Sequence, residues 1–548
     1  MSGWIDHLTV LPVVAPLVAA AVLLPIDERR HRLKAAVSIA TLAGCLAVSM
    51  ILLRQATAMD DLAVHRTVVY LLGEWPAPFG VVLVLDRLSA LMLVLTSTLA
   101  IATLVFSLAN WDRAGSHFHS LFLFLIMGLN GAFLTGDLFN LFVFFEILLA
   151  ASYGLVLHGS GRARVRTGLH YIAVNLVASS LFLVGVSMIY GVLGTLNMAD
   201  VALRVPALAD GDRMLFEAGA AILGVAFLVK AGMWPLGFWL PGTYSATAPP
   251  IAAFFAIMTK VGFHIVLRLS LLMFGSDAGG LAHFGSSLLI AGGMMTVIYG
   301  SIGILAAQNL ARLASYSIVI SAGTLLTTVG IGSVALTGGA LFYLVSSTLS
   351  IAALFMLTEL AERGRTVGAD VLAVTMEMYG ESDDDEDEDG PEEVGLAIPG
   401  TMAVLGLCFT ACALLIAGLP PLSGFVAKFF ILRGLFEPGY GGNGGGVPGG
   451  VSWAFMGLLL LSGFAAVIAM MRAGIRVFWL PLEGAVPRVR LMEIAPIVGL
   501  LLLCIGLTVE ADPVMNFTEQ TAKSLHAPDD YIGSVMPSDP FATREATP

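Results

Sequence analysis

The stretch LGVAFLVKAGMWPLGFWLP, residues 223–241, decides the fold of this 548-residue chain. A membrane-spanning helix needs about 20 predominantly apolar residues, and this run is apolar enough to belong to one. It nevertheless contains Lys230 and, five residues later, Pro235. Proline removes a backbone hydrogen bond, and free backbone groups at membrane depth are tolerated only inside protein or beside a water-filled cavity. The stretch therefore predicts a broken transmembrane helix with an ionisable group beside the break.

Three other apolar stretches also carry an ionisable residue near their centre. They are GDLFNLFVFFEILLAASYGLVLHG with Glu146, PPIAAFFAIMTKVGFHIVLR with Lys260, and AGLPPLSGFVAKFFILRGLF with Lys428. A charge at mid-membrane depth costs several kcal/mol, so such residues face the protein interior or a hydrated path. Each of the four is therefore a candidate functional residue.

The residue types suit proton transfer. A lysine taken out of water loses affinity for its proton, and a nearby carboxylate restores that affinity. Movement of Glu146 relative to Lys230 would therefore act as a proton switch. His264 follows Lys260 by one helical turn, and because histidine titrates near neutral pH it could act as a relay. The alternative for the whole set is a structural ion pair with lysines that extend toward the interface.

The composition extends this pattern to the whole chain. Apolar residues make up 57% and charged residues 12%, and the mean hydropathy is +0.90. Soluble proteins carry roughly 25% charged residues, so an ordinary soluble enzyme is excluded. We predict an all-α polytopic membrane protein with fourteen spans, at residues 4–25, 34–54, 87–109, 118–135, 137–157, 168–193, 213–239, 248–273, 283–307, 310–332, 338–361, 396–436, 451–480 and 490–509. The first span lacks a basic leader and is expected to remain in the mature protein.

Basic residues in the loops predict the orientation. With the N-terminus outside, thirteen arginines and lysines fall in inside loops and five in the outside loops up to the eighth span. Cytoplasmic loops carry the excess of basic residues, so both termini are predicted outside a bacterial cytoplasmic membrane.

The regions between and after the spans complete the predicted organisation. Residues 55–86 are expected to form an outside loop with a short strand or hairpin. We place a transmembrane domain at 1–510, with an acidic inside loop at 362–395 and a Gly-rich outside loop at 437–450, and a polar tail at 511–548.

The net charge of −12 comes mainly from one segment. Residues 381–393 contain ten carboxylates and no base, and the rest of the chain has 27 basic against 29 acidic residues. No basic surface for nucleic acid is therefore predicted. The acidic run is expected to be a solvated spacer, and a cation-attracting role is the alternative.

The four cysteines give no sign of a metal or redox site. Cys45, Cys408, Cys412 and Cys504 all lie in apolar runs, and the C-x-x-x-C spacing fits neither zinc nor a redox pair. We expect no cofactor and no metal site.

The two broken lysine helices suggest an internal repeat. Lys428 is preceded by Pro420 and Pro421, so its helix should break as the helix of Lys230 does. The two helices are five spans apart, and an odd offset places the two halves in opposite orientation. This is typical of inverted repeats in transporters.

Three stretches carry a resemblance to a known family. TGDLFNLFVFFEILLAASYGLVLHG, LVKAGMWPLGFWLPGTYSATAPPIAAFFAIMTKVG and LIAGLPPLSGFVAKFF resemble the antiporter-like membrane subunits shared by Mrp-type cation/proton antiporters and respiratory NADH:quinone oxidoreductase. Within this family, EWPAPFGVVLVLDRLSALML and TAKSLHAPDDYIGSV are similar to the D subunits of the Mrp-type (Pha-type) antiporters.

The resemblance implies a fold, partners and site roles. It implies fourteen helices in two inverted five-helix repeats with helices seven and twelve broken. It also implies a complex with a large A subunit and small membrane subunits, which exchanges cytoplasmic Na⁺ or K⁺ for external H⁺. By motif match, Glu146 and Lys230 look like the ion pair of the first half-channel, Lys260 like the connecting lysine, and Lys428 like the terminal lysine of the second.

The second half departs from the family pattern. FYLVSSTLSIAALF places Ser347 and Ile351 where many relatives carry histidine and lysine, and ASYSIVISAGTLL places Ser321 where respiratory relatives often carry histidine. A proton path between Lys260 and Lys428 would then need hydroxyl groups and water.

Three functions remain open at this stage. The first is an ion-translocating antiporter component of the D type, which uses the proton gradient and is not an enzyme. The second is a proton-pumping subunit of a respiratory or hydrogenase complex, although the chain has no long lateral amphipathic helix after the last span. The third is an assembly scaffold without transport.

Overall fold

The computed structural model describes residues 6–58, 67–363, 400–436, 449–479 and 489–536. Twenty α-helices are present in these residues: α1 (Leu11–Leu23), α2 (His31–Ala58), α3 (Arg87–Ser107), α4 (Phe118–Leu134), α5 (Leu138–Val156), α6 (Arg162–Leu193), α7 (Met198–Arg204), α8 (Asp210–Ala231), α9 (Trp239–Ala246), α10 (Pro249–Phe255), α11 (Met258–Met273), α12 (Ser286–Ala306), α13 (Leu310–Ile331), α14 (Val334–Glu362), α15 (Gly400–Ala417), α16 (Ser423–Phe436), α17 (Gly449–Gly474), α18 (Leu491–Val509), α19 (Ala511–His526) and α20 (Asp529–Val535). The all-α multi-pass architecture predicted from the sequence is confirmed.

The apolar helices agree with the predicted spans in position. Twelve helical segments of the described residues are long and apolar enough to cross a membrane. The shorter apolar helices α1 and α4 occupy the predicted first and fourth spans. The predicted twelfth span corresponds to α15 together with α16. The number fourteen and the inverted repeat stay predictions.

Burial separates a central group of helices from an outer ring. The most apolar segment of α14 is fully buried, and those of α10–α11 and α13 are nearly so. The corresponding segments of α2, α6, α12, α15 and α18 are largely exposed, as expected of helices that face lipid. Lys260, Ser321 and Ser347 all lie on the central helices.

Both predicted helix breaks are present. Helix α8 ends at Ala231, Gly232 adopts a left-handed conformation with φ +77°, and α9 begins at Trp239. Helix α15 ends at Ala417, Gly418 has φ +75°, and α16 begins at Ser423. Glycine is favoured at such positions because it has no Cβ to clash in the left-handed region. At the second break, the carbonyl groups of Ile416 and Ala417 accept hydrogen bonds from Lys428.

A small β-hairpin marks one face of the helical body. Strands β1 (Val68–Leu71) and β2 (Val82–Leu85) pair antiparallel, with Val68 opposite Leu85, which confirms the hairpin predicted in residues 55–86. Strand β2 is buried, and Leu83 forms a further bridge with Thr135 at the turn between α4 and α5. We call the side that carries this hairpin the hairpin face.

The opposite side, here called the arginine face, is tied by ion pairs. Arg363 at the end of α14 bonds to Glu359 at 2.7 Å and to the buried Glu493 at 2.8 Å. Trp111, between α3 and α4, donates to Glu359 at 2.6 Å. Two of the basic residues counted for the inside loops lie on this face, Arg164 over the Trp111 ring and Arg490 at the carbonyl of Ala109. The assignment of this face to the cytoplasm stays a prediction.

The predicted polar tail contains two helices that pack on the body. In α19, His526 lies 3.0 Å from the hydroxyl of Thr337 on α14, and α20 contacts α7. The acidic run and nearly all of the Gly-rich loop lie outside the described residues. The domain boundaries proposed from the sequence therefore stay predictions.

Candidate functional site

Lys230 lies near the end of α8, just before the break. Its side chain is only 6% exposed, and its Nζ donates to the Oδ1 of Asn175 on α6 at 3.3 Å. The same Nζ lies 5.3 Å from the ring centroid of Phe145, within the range of a cation–π contact. The ammonium group is thus held by an amide oxygen and an aromatic face.

Glu146 lies on α5, immediately after Phe145. Asp137 caps this helix by accepting a hydrogen bond from the backbone N–H of Asn140 at 2.8 Å. The Oε1 of Glu146 is buried and has no hydrogen-bond partner in the described residues. None of the described ion pairs joins Glu146 to Lys230, although the two charges interact electrostatically. Helix α6, which carries Asn175, packs against both α5 and α8. Glu146 is therefore a carboxylate held near Lys230 without direct contact.

Lys260 lies in the first turn of α11, at the centre of the molecule. Its side chain is 1% exposed, and its Nζ donates to the hydroxyl of Ser321 on α13 at 2.5 Å. The Ser321 hydroxyl lies 3.0 Å from that of Ser347 on α14. Since a hydroxyl group both donates and accepts hydrogen bonds, the two serines form a short polar bridge that leads away from Lys260.

The bridge ends at a cavity beside Lys428. This cavity of about 20 Å³ is lined by Ser347 and Lys428, with room for about one water molecule. Other polar groups also line it: the hydroxyls of Ser317, Tyr343, Ser346, Ser350 and Ser462. The structure thus brings Lys260 and Lys428 to the two ends of one hydroxyl-lined route through α13 and α14.

The free carbonyl groups of the broken helix hold Lys428 itself. Its Nζ donates to the carbonyl of Ala417 at 2.7 Å and to that of Ile416 at 3.3 Å. None of the described ion pairs includes Lys428. The C-terminal end of a helix carries a partial negative charge, which stabilises an ammonium group there.

His264 occupies a dry position one turn beyond Lys260. It is 1% exposed, and neither ring nitrogen has a hydrogen-bond partner in the described residues. Its ring meets that of Phe133 edge to face, with the centroids 5.1 Å apart. Two orphaned nitrogens are unusual for a buried imidazole, because buried polar groups are nearly always bonded.

The sequence analysis missed two parts of this arrangement. Asn175 was not singled out, although a lone amide in the apolar run YIAVNLVASSLFLVGV, residues 171–186, was a usable signal. The serine cavity was not expected either, because its hydroxyls come from different helices. Ser321 and Ser347 were noted only as departures from a family pattern, and they are the residues that connect Lys260 to the second half. Ile351, noted with them, also lines the cavity.

These features define a class of protein: a multi-pass membrane protein with a line of buried ionisable and hydroxyl groups beside broken helices. Residues 135–440 match the family described as NADH:quinone oxidoreductase/Mrp antiporter, TM. The chain belongs to this family.

Comparison with known proteins narrows the assignment within the family. The chain is 59% identical to the D subunit of a probable K(+)/H(+) antiporter of Rhizobium meliloti, over 96% of this chain and 97% of that protein. It is 32% identical to the D subunit of the Na(+)/H(+) antiporter of Alkalihalophilus pseudofirmus, over 97% and 99% respectively. The resemblance to antiporter D subunits is confirmed.

Solved structures share the fold. A chain of the Mrp complex from Dietzia sp. DQ12-45-1b superposes with a TM-score of 0.80 at 24% identity, covering 98% of this chain and 100% of that one. A chain of respiratory complex I from Thermus thermophilus gives a TM-score of 0.69 at 20% identity, covering 95% and 99%.

Proposed function

We propose that this chain is the proton-translocating D-type subunit of a multisubunit Na⁺(K⁺)/H⁺ antiporter. The observation that carries the proposal is the buried polar route from Lys260 through Ser321 and Ser347 to the cavity at Lys428. Such groups are costly in a membrane protein and mark ion pathways. The names of the 59% and 32% identical relatives support the choice of monovalent cations as the exchanged ions.

The proposal extends to the setting of the chain. It places the protein in a bacterial cytoplasmic membrane with both termini outside, beside a large A subunit and small membrane subunits. In this arrangement Glu146 and Lys230 load a proton in the first half, Lys260 passes it on, and Lys428 releases it in the second half.

A transport assay on Glu146 and Lys230 tests the proposal. Inside-out vesicles from cells that express the whole complex are energised, and Na⁺- or K⁺-dependent collapse of the pH gradient is measured with a fluorescent dye. Neutralising either residue removes the electrostatic interaction between the Glu146 carboxylate and the buried Lys230 ammonium group, on which the proposed proton loading depends. Antiport should therefore collapse in Glu146→Gln and Lys230→Ala, and Glu146→Asp should keep part of it.

Controls separate transport from assembly. Glu217→Gln makes the same chemical change on α8, at a surface ion pair with Arg213, and should leave antiport near normal. Antiport above half of wild type in both Glu146→Gln and Lys230→Ala, at equal expression, would contradict the proposal. If the complex assembles normally with Glu146→Gln or Lys230→Ala but has lost antiport, the chain is not merely an assembly scaffold. Co-purification of iron–sulfur subunits would point instead to a respiratory complex.

A further inference from the structure

Helix α11 carries a second line of buried groups, which starts at Lys260 and continues away from the proposed route. Lys260, His264 and Arg268 are spaced four residues apart, so they lie on one face of the helix. Their side chains are 1%, 1% and 5% exposed. The line runs from the centre of the molecule toward the hairpin face.

Arg268 is held by groups from two distant parts of the chain. Its Nη2 lies 2.8 Å from the Oδ2 of Asp86 and donates to the hydroxyl of Ser89 at 3.1 Å. Its guanidinium carbon lies 5.4 Å from the ring centroid of Tyr531 on α20. Asp86 is fixed in turn, because it caps α3 by accepting a hydrogen bond from the Ser89 backbone N–H at 2.8 Å.

A small cavity begins where this line ends. It has a volume of about 40 Å³, room for about two or three water molecules, and is partly open. Asp86, Arg268, Ser524, Asp530 and Tyr531 are among the residues that line it. Arg268 therefore lies between the orphaned imidazole of His264 and a partly open cavity on the hairpin face.

We propose that Lys260, His264 and this cavity form a proton branch to the hairpin face, and that the Arg268–Asp86 pair is its barrier. The inference rests on the proposed function, since an antiporter must keep protons from crossing when no cation is exchanged. A buried guanidinium group fixed in place repels protons, as arginines do in other selective pores. Asp86 and the Tyr531 ring keep that guanidinium in place. Arg268 is thus the barrier residue, whereas His264 is the group that would carry the proton.

A leak assay without exchangeable cations tests the barrier. Inside-out vesicles that contain the whole complex receive an acid pulse in choline buffer, and the decay of the pH gradient is followed. Because the charge of Arg268 sets the barrier, Arg268→Gln should speed the decay by about tenfold. Arg268→Lys keeps the charge and should stay within about twofold of wild type.

A matched variant controls for general disturbance of the same face. Arg204 also pairs with a carboxylate, that of Asp200 at 2.9 Å, but it is 48% exposed. Arg204→Gln should therefore decay like wild type. If it leaks as fast as Arg268→Gln, the leak is a packing defect and the barrier role is wrong.

A double variant tests the route. His264→Leu combined with Arg268→Gln should return the decay to the wild-type rate, because protons then lack the carrier that delivers them to the opened path. A purely structural anchor would give the opposite result, since a second core substitution would not seal a leak.

A double variant shows whether the leak comes only from an unpaired buried charge that disturbs folding. Arg268→Gln alone leaves the Asp86 carboxylate without its partner, whereas Asp86→Asn with Arg268→Gln removes both charges. Both should leak. An assembled complex with either change that is as tight as wild type overturns the proposal, and so does a leak that persists after His264→Leu. The assay needs no cation exchange, so the leak and the antiport loss in Glu146→Gln are judged independently.

Discussion

Lys428 differs from Lys230 in what holds its ammonium group. Lys230 bonds to the amide oxygen of Asn175 and has the Glu146 carboxylate nearby, whereas Lys428 bonds to the carbonyls of Ile416 and Ala417 at the end of α15. Carbonyl groups can hold an ammonium ion, but they cannot take up its proton as a carboxylate can. A proton that leaves Lys428 must therefore pass to water or to a hydroxyl of the adjoining cavity.

The first prediction at this scale concerns proton release. Lys428→Arg keeps a positive charge at the helix break, but a guanidinium group binds its proton too tightly to release it near neutral pH. We expect antiport in vesicles to fail in Lys428→Arg about as severely as in Lys428→Ala.

The control uses the same substitution outside the membrane region. Lys523 lies exposed on α19, and Lys523→Arg should leave antiport unchanged. Near-normal exchange in Lys428→Arg would mean that Lys428 supplies only fixed positive charge and that the proton leaves elsewhere.

At the scale of the element, the break between α15 and α16 depends on one glycine. Gly418 has φ +75°, and a Cβ added there would lie 2.5 Å from the Cδ of Lys428. A side chain at this position would strain the backbone by about 1–2 kcal/mol and displace the lysine. The turn therefore sets both the direction of the chain and the position of Lys428.

Substitution of this glycine gives the second prediction. Gly418→Ala should lower antiport per assembled complex strongly, because Lys428 is pushed from the carbonyls of Ile416 and Ala417. Gly406→Ala, on the same helix, meets its nearest neighbour, Phe478, at 3.8 Å, an ordinary contact, and should be tolerated. Equal activity of the two variants would show that the turn does not position the lysine.

Much of this element-level structure was predictable from the sequence. Pro235, Pro420 and Pro421 marked both breaks because proline disrupts a helix by local geometry alone. The hairpin followed from turn residues and a short apolar run in the same way. Local chemistry fixes such features, so they can be inferred without knowing the rest of the fold.

The site was predictable only in part. Charges in apolar runs identified Glu146, Lys230, Lys260 and Lys428, because buried charge is rare whatever the fold. Their partners were not predictable, since Lys260 meets Ser321 across 61 residues and Arg268 meets Asp86 across 182. Arg268 also lies near the end of its span, where an arginine ordinarily reaches the interface. Contacts of this kind depend on which helix faces pack together.

At the scale of the whole molecule, deletion of the acidic run tests whether charge outside the helices affects cation binding and antiport. Residues 381–393 lie outside the described residues, so this prediction rests on sequence. A solvated spacer can be deleted without effect, and we expect apparent cation affinity and antiport within about twofold of wild type. A loss of about tenfold, strongest at low salt where screening is weakest, would favour a cation-attracting role.

The connection between the two halves gives the last prediction. Helices α13 and α14 separate Lys260 from Lys428, and in the described residues Ser321 and Ser347 connect Lys260 by hydrogen bonds to the cavity beside Lys428. If protons pass through these hydroxyls in series, losing either one breaks the route, and losing both does no further harm. Ser321→Ala and Ser347→Ala should each lower antiport by about tenfold, or ~1.4 kcal/mol in the barrier, and the double variant should equal the worse single one.

Ser315→Ala on α13 is the control, because the Ser315 hydroxyl bonds back to the carbonyl of Ala311 and takes no part in the bridge. A vesicle antiport assay on all four variants decides the matter: multiplying losses would indicate two independent roles, and wild-type rates in both single variants would show that protons cross between the halves by another path.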